Sequence, residues 1–131
     1  MTSPRLQDYL LHMQEAAQQA LSFVGGMSEV AFAADTRTQR AVILEIVVIG
    51  EASTRLLKEH AAFAGRHPEV PWADMKGMRN RIAHGYFEID LGLVWNSVKL
   101  HLPDLVARLP GIRRDADAYV LDLGRGVWIS S

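Results

Sequence analysis

The sequence predicts an all-α protein, an up-and-down bundle of four to five helices. Apolar residues recur every three or four positions in several long stretches, and residues that favour helix starts and stops flank those stretches. A length of 131 residues suits a single core. The content of 49% hydrophobic and 22% charged residues is that of an ordinary folded chain rather than a disordered one.

The first two predicted helices follow from caps and periodicity. Ser3 can cap a helix with Pro4 at its first position, and one apolar stripe then continues to Gly25-Gly26. A second helix is expected to begin at Asp35 or Thr36 and to run to about His60.

The middle of this second helix lacks a polar side. From Ala41 to Ile49 only Glu45 is polar, and a helix that is apolar all round must be buried on all sides. A bundle this small covers one side only, so we predict a homodimer that packs through Ala41 to Ile49. Glu45 is then a candidate for a buried pair at that interface.

Prolines and glycines delimit the remaining segments. Residues 67–71 read as a connector, and Pro71 opens a short third helix that runs to about Ala83 and ends at Gly85. Asp90 caps a fourth helix whose apolar phase continues across Pro103, either with a kink or with a new helix beginning there. We expect a helical domain over residues 1–110 and a tail over 111–131 whose pattern favours extended segments.

The composition indicates the cellular compartment of the protein and limits the kinds of partner it can bind. The absence of cysteine fits a reducing compartment and excludes disulfides and thiolate chemistry. No apolar signal stretch and no run of about 20 apolar residues is found, so we expect a cytoplasmic protein. The net charge of −1 gives no general attraction to nucleic acid, and RNA binding would require a local basic patch.

Such a patch occurs in residues 75–87, the segment expected to end the third helix. It contains Lys76, Arg79, Arg81 and the titratable His84, but no acidic residue. A phosphate-bearing ligand is the natural partner for these side chains, and the alternative is a solvated helix face.

The spacing of Arg79 and His84 is weak evidence when taken alone. Arg5 with His12 and Arg55 with His60 have similar spacing, but neither pair has a basic neighbourhood or a polar residue after the arginine. The third pair differs because Asn80 follows Arg79 directly and Tyr86 follows His84 by two positions.

Helical geometry suggests how these side chains work together. Asn80 and His84 lie four residues apart on one face, where the amide can bond the imidazole and orient it. Arg79 lies about 140° from His84 around an ideal helix, so the two converge only if the arginine folds over or the helix unwinds at Gly85. A histidine at a helix C-terminus is favoured as a proton donor.

Arg79-Asn80-x-x-x-His84-x-Tyr86 resembles the HEPN signature in its HepT form. The surroundings are also similar to HepT-type toxins over residues 5 to about 109; the segments that carry this likeness are Arg5-Leu6-x-Asp8-Tyr9-Leu10, Ile49-Gly50-Glu51-Ala52, Val70-Pro71-Trp72 and Gly77-Met78-Arg79-Asn80-Arg81.

The resemblance implies a metal-independent endoribonuclease toxin that needs no cofactor, whose antitoxin is a minimal nucleotidyltransferase and whose dimer places two motifs around one cleft. His84 would act in general acid–base catalysis, Arg79 would stabilise charge on the phosphoryl oxygens, and Asn80 would orient His84 or the phosphate. Lys76 and Arg81 would hold the flanking RNA backbone.

The HepT form also implies that the Tyr86 hydroxyl accepts AMP from the antitoxin, and the added charge and bulk would exclude RNA from the cleft. The alternative for Tyr86 is a packed aromatic ring. For the whole chain the alternatives are a non-catalytic module that binds nucleotide or RNA beside a nucleotidyltransferase, and a structural dimer.

Other polar and aromatic residues receive plainer interpretations. Glu51 is interpreted as structural, with a balancing contact to Arg79 or Arg81 in the dimer as the alternative. His12 and Glu15 lack the further ligands that a bundle metal site requires, so no metal is expected. Trp95 is assigned to the core, and Trp72 and Phe87 are left open between core packing and base stacking.

Overall fold

The structure is a computed structural model that describes residues 4–85 and 88–130, with side-chain environments for residues 5–85 and 88–121. Its helices are α1 (Pro4–Phe23), α2 (Glu29–Ala33), α3 (Thr36–Glu59), α4 (Ala61–Gly65), α5 (Trp72–His84), α6 (Leu91–Asn96) and α7 (Leu102–Ser130), with a π-helical turn (Ser97–His101) between the last two. The described ranges contain no strand, which confirms the all-α prediction.

Side-chain caps begin three of these helices. Asp35 Oδ1 accepts a hydrogen bond from the Thr38 backbone N–H at 3.0 Å, and Asp90 Oδ1 accepts one from Leu93 at 3.1 Å. Each carboxylate satisfies a backbone donor that the first turn of a helix leaves unpaired. The predicted starts at Asp35 and Asp90 are therefore confirmed. Ser3, the predicted cap of α1, lies outside the described residues.

The core is formed mainly where α3 packs between α1 and α5, and α7 closes the other side of α1. Several helices contribute large side chains that are fully buried, among them Leu10 of α1, Phe32 of α2, Leu56 of α3, Phe63 of α4 and Leu109 of α7. Trp95 packs on Phe32 with ring centroids 5.3 Å apart, as predicted for a core residue.

The prediction of extended segments after residue 110 is wrong, because α7 continues helically through Ser130. Leu102, Leu105, Leu109, Ile112 and Ala116 are all buried, and their spacing of three and four residues continues across Pro110 and Gly111. Tertiary packing of this stripe outweighs the local preference of proline, glycine and β-branched residues. The division into domains at residue 110 stays a prediction.

Pro103 does not interrupt the helical backbone. The π-helical turn ends at His101, and Pro103 is the second residue of α7. Because proline has no N–H and its ring crowds the preceding turn, the wider turn absorbs its presence while the apolar phase continues.

The apolar middle of α3 is covered on one side only. Val42, Ile43, Ile46 and Ile49 are buried, whereas the Leu44 side chain on the outer face is 61% exposed. Within one chain the predicted all-round burial is therefore incomplete. No helix in the described part of the chain has the length and apolar character needed to cross a membrane.

Candidate active site

The first turn of α5 is fixed against α3 and the connector before it. Ser53 Oγ, fully buried on α3, donates a hydrogen bond to the Trp72 carbonyl at 2.6 Å. Trp72 Nε1 lies within hydrogen-bonding distance of the Ala64 carbonyl on α4, at 3.2 Å, and of the His67 carbonyl in the connector, at 3.0 Å. Trp72, left open by the sequence, is therefore a core residue that sets the position of α5.

Further along, α3 and α5 approach so closely that only glycine fits at position 50. A Cβ atom added to Gly50 would lie 2.3 Å from Arg79 Cβ and 2.8 Å from the Met75 carbonyl oxygen. Real Cβ atoms do not make contacts this short, because they overlap van der Waals radii. The close approach brings the base of the Arg79 side chain onto α3.

Arg79 is held from two directions. Its Nε donates a hydrogen bond to Glu51 Oε1 at 2.5 Å, and its Nη1 donates one to Asn80 Oδ1 at 2.6 Å. The Arg79 side chain retains 28% exposure, so the guanidinium is anchored yet still accessible. Of its five N–H donors, three remain beyond these two bonds.

Among the described residues, Asn80 does not make the predicted hydrogen bond to His84, and its alternative role, orienting the phosphate, stays a prediction. No hydrogen bond joins Asn80 to His84 within residues 4–85 and 88–130, and the amide oxygen accepts from Arg79 instead. The reason is that an arginine side chain is long enough to reach back to its neighbour, whereas an imidazole four residues away is short and rigid. Within this chain Asn80 therefore orients the arginine.

The other basic residues of the segment face solvent. Lys76, Arg81 and His84 are exposed, and His84 is the last residue of α5. Gly85 ends the helix, and its backbone N–H bonds the Arg81 carbonyl at 2.9 Å. Tyr86 and Phe87 lie outside the described residues.

A groove of about 820 Å³ runs between α5 and the segment formed by α6, the π-helical turn and the start of α7. Arg81 and Met78 line it from α5, and Leu93, Leu100 and His101 line it from the opposite wall. Leu100 is 67% exposed. The sequence does not predict this groove, because the residues of its two walls lie on different helices that only the fold brings together.

Glu51 contacts Arg79 within one chain, whereas the alternative weighed from the sequence was a balancing contact with Arg79 or Arg81 in the dimer. The available signal was Gly50-Glu51, a small residue beside an acid in an otherwise apolar helix. The Arg55–His60 pair, by contrast, does not form a site, because His60 is buried at 7% exposure against the Tyr9 ring.

Fold and site together define a class: helical proteins that present an anchored arginine and an exposed histidine on one short helix, suited to binding a phosphodiester. Residues 13–111 match the family described as Ribonuclease HepT-like. The chain belongs to this family, and the resemblance stated from its motif is confirmed.

Several curated proteins are similar over most of both chains. A probable ribonuclease HepT of Thermococcus cleftensis is 35% identical over 107 residues, covering 82% of this chain and 94% of its own. A putative RNase of Caldanaerobacter subterraneus subsp. tengcongensis is 32% identical over 105 residues, covering 80% and 89%. A putative RNase of Methanocaldococcus jannaschii is 30% identical over 109 residues, covering 83% and 88%. No solved structure matches the chain.

Proposed function

We propose that this chain is an endoribonuclease that cleaves RNA without a metal ion and acts as the toxin of a toxin–antitoxin pair in the cytoplasm. The observation that carries the proposal is the anchored Arg79, held by Glu51 and Asn80 on the helix that ends at His84. Its family membership and the relatives named as RNases support the same activity.

The chemistry is a transesterification at phosphorus. The ribose 2′-oxygen attacks the adjacent phosphorus and loses its proton, the bond from phosphorus to the 5′-oxygen breaks, and that oxygen receives a proton. The products are a 2′,3′-cyclic phosphate and a free 5′-hydroxyl. His84 serves these proton transfers as general acid–base, and Arg79 stabilises the charge that develops on the phosphoryl oxygens.

The exposed cations bind the rest of the strand. Lys76 lies two turns before His84 on the same face of α5, and Arg81 lies at the rim of the groove. Both are placed to hold phosphates that flank the scissile one, and such contacts weaken with increasing salt.

A homodimer through α3 completes this proposal. The exposed Leu44 and the half-buried Val47 and Val48 form an apolar strip on the outer face of α3, near Glu51 and Arg79. A second copy packed on this strip buries it and brings a second Arg79–His84 pair to the same side of the assembly.

The antitoxin in this proposal is a nucleotidyltransferase that binds the toxin, transfers AMP to the Tyr86 hydroxyl, or does both. In the sequence, Tyr86 comes two residues after His84, the exposed last residue of α5. Incubation of the chain with its partner and ATP should add AMP, detected by mass spectrometry, and Tyr86→Phe should prevent the addition. Modification of Tyr86→Phe to the same extent would contradict this assignment.

An alternative function is a non-catalytic module that binds nucleotide or RNA in a complex with a nucleotidyltransferase. The observation that favours it is that the accessible cations of α5, Lys76, Arg79 and Arg81, could bind phosphate without any contact to His84. RNA binding without any cleavage would support this alternative.

The decisive test is cleavage of RNA in excess chelator. The wild-type chain should cut and leave cyclic phosphate ends, whereas Arg79→Ala and His84→Ala should each slow cleavage by about 10²- to 10³-fold. Arg5→Ala and His12→Ala change the similarly spaced pair on α1 and should leave the rate unchanged. Cleavage that requires a divalent metal, or that survives both active-site changes, would refute the proposal.

A further inference from the structure

The contact between α3 and α5 points to a kinetic role for Glu51, an acidic residue that takes no part in the proton transfers of the proposed reaction. We propose that Glu51 is a positioning residue that holds the Arg79 guanidinium in the orientation needed for the scissile phosphate. This inference rests on the proposed function, and it adds to the site a residue from a second helix.

The geometry begins with the orientation of the arginine stem. Because Gly50 has no side chain, the stem of Arg79 lies directly on α3, with its Cβ close enough to overlap any Cβ added at Gly50. Glu51 is the next residue on α3, and its carboxylate meets Nε of the same arginine. Close helix approach and carboxylate contact therefore restrain the base and the middle of one side chain.

The far end of the side chain receives a second restraint. Asn80 Oδ1 accepts a hydrogen bond from Arg79 Nη1. The two hydrogen bonds to Glu51 and Asn80 do not use the two N–H donors of Nη2. Parallel N–H groups of a guanidinium suit two oxygens of one phosphate. A guanidinium that is restrained before RNA arrives loses less conformational freedom on binding than a mobile one.

The Glu51 charge has a separate effect from its hydrogen bond. The carboxylate retains 43% exposure and lies at the edge of a surface that must attract RNA, so its negative charge opposes binding of the strand. Positioning and charge thus act in opposite directions, which allows kinetics to separate them. Loss of positioning lowers kcat, whereas loss of the negative charge lowers KM.

Three substitutions at this position test the proposal. Glu51→Ala should lower kcat by about 10- to 100-fold without raising the KM for RNA. Glu51→Gln keeps an oxygen for Nε and loses the charge, so it should retain most of the kcat with a lower KM. Glu51→Asp keeps the charge but withdraws the carboxylate by one methylene, so kcat should fall with little change in KM.

The control is Glu59→Gln on the same helix. Glu59 Oε2 accepts a hydrogen bond from the Tyr9 hydroxyl at 2.8 Å, away from the site. Its replacement removes one charge and weakens one contact between helices, as at Glu51, but should leave kcat and KM unchanged. All rates are measured well below the unfolding temperature and normalised to folded protein, so that a merely structural role of Glu51 would also leave them unchanged.

A spectroscopic measurement separates failure of this inference from failure of the proposed function. In the ¹H–¹⁵N NMR spectrum the Arg79 Nε–H signal should be protected from exchange in the wild type, and the protection should be lost in Glu51→Ala and retained in Glu51→Gln. If the wild-type chain does not cleave RNA, the proposed function fails, and this measurement alone decides whether Glu51 holds Arg79.

The inference is overturned if Glu51→Ala retains the wild-type kcat, or if Glu51→Gln loses as much kcat as Glu51→Ala. It is also overturned if the Arg79 Nε–H signal exchanges equally fast in the wild type and in Glu51→Ala. A fall in kcat with rescue by glutamine, together with protection of the Nε–H signal, supports it.

Discussion

The pKa values of two carboxylates in the α3 segment, Asp35 and Glu45, are shifted in opposite directions. The pKa of Asp35 is lowered, chiefly because its carboxylate accepts hydrogen bonds from the Thr38 backbone N–H and hydroxyl. The pKa of Glu45 is raised, because partial burial among apolar side chains disfavours its charged form. The folded state is therefore stabilised by ionisation of Asp35 and by protonation of Glu45.

The raised pKa of Glu45 predicts that Glu45→Gln increases the stability of the protein, by an amount that depends on pH. A carboxyl whose pKa is raised on folding contributes less stability as pH rises from its ordinary value through the raised one. A neutral glutamine avoids this loss, so Glu45→Gln should raise the free energy of unfolding at pH 7, and the gain should vanish below the ordinary pKa of glutamate. Urea denaturation at several pH values measures both.

Asp35→Asn is the matched control, and it should change the stability in the opposite direction. Because the pKa of Asp35 is lowered on folding, its contribution is present above the ordinary pKa of aspartate and is lost as pH falls through the lowered value. Asp35→Asn should therefore destabilise the protein at pH 7, and the difference should shrink in acid. The same pH trend for both variants would contradict the assigned causes.

Among the elements, the pair α3 and α5 determines the site. The carboxylate that anchors Arg79 belongs to α3, and the cations that we propose to bind RNA belong to α5. Their separation is set at Gly50, where the backbone of α3 contacts the side-chain stem of Arg79. A glycine usually weakens a helix, but here it allows a contact that no other residue permits.

Two glycine substitutions test whether the contact between α3 and α5 leaves room only for glycine at position 50. Gly50→Ala should destabilise the protein by about 1–3 kcal/mol, because the added methyl group overlaps Arg79 and Met75. Gly77→Ala on α5 meets no atom within 4 Å and should stabilise it by up to about 1 kcal/mol. Thermal unfolding of both variants measures the contrast, which would be absent if α3 and α5 were further apart.

The C-terminal helix α7 contributes to the core well past residue 110. Ile112 is buried, and Gln7 Nε2 on α1 donates to the Arg113 carbonyl at 2.8 Å and to Asp117 Oδ1 at 2.7 Å. Asp115 accepts from Arg66 and contacts the His67 imidazole, which links α7 to the connector before α5. This part of the chain therefore stabilises the helix pair on which the site depends.

A comparison within α7 tests that contribution. Ile112→Ala should lower the free energy of unfolding by about 2–5 kcal/mol, because it leaves a cavity beside α1. Leu121→Ala, at a position with 59% exposure, should change it by no more than about 0.5 kcal/mol. Equal effects of the two changes would mean that α7 does not pack as described.

At the scale of the whole molecule, the outer face of α3 is an apolar surface that a single chain leaves uncovered. Leu44 is 61% exposed and forms an apolar strip with the half-buried Val47 and Val48, on the helix that packs against the one carrying Arg79. A monomer would have to expose this strip to water, whereas a dimer buries it. The proposed dimer therefore links assembly to the formation of a shared RNA cleft.

Leu44→Glu tests the dimer directly. Light scattering should give the wild type a mass of twice the 14.6 kDa of one chain and give Leu44→Glu the mass of one chain. RNA cleavage should fall with the dimer population. Val30→Glu, which changes an 81% exposed residue on α2, should remain dimeric and active. A monomeric wild type, or a dimeric Leu44→Glu variant, would contradict the proposed interface.

The sequence by itself determined the all-α fold class, the caps at Asp35 and Asp90, and the cluster of cations around Arg79. These features depend on neighbours within one or two turns, and helix signals are local. Only the tertiary structure decided that α7 remains helical past Pro110, that Asn80 bonds Arg79 rather than His84, and that Glu51 meets the same guanidinium. The physical reason is that the helicity of α7 and the Glu51 contact depend on how closely segments distant in sequence approach, and no local pattern fixes that distance. The Asn80 contact joins neighbouring residues, but it depends on the side-chain conformation of Arg79, which the contact with α3 restrains.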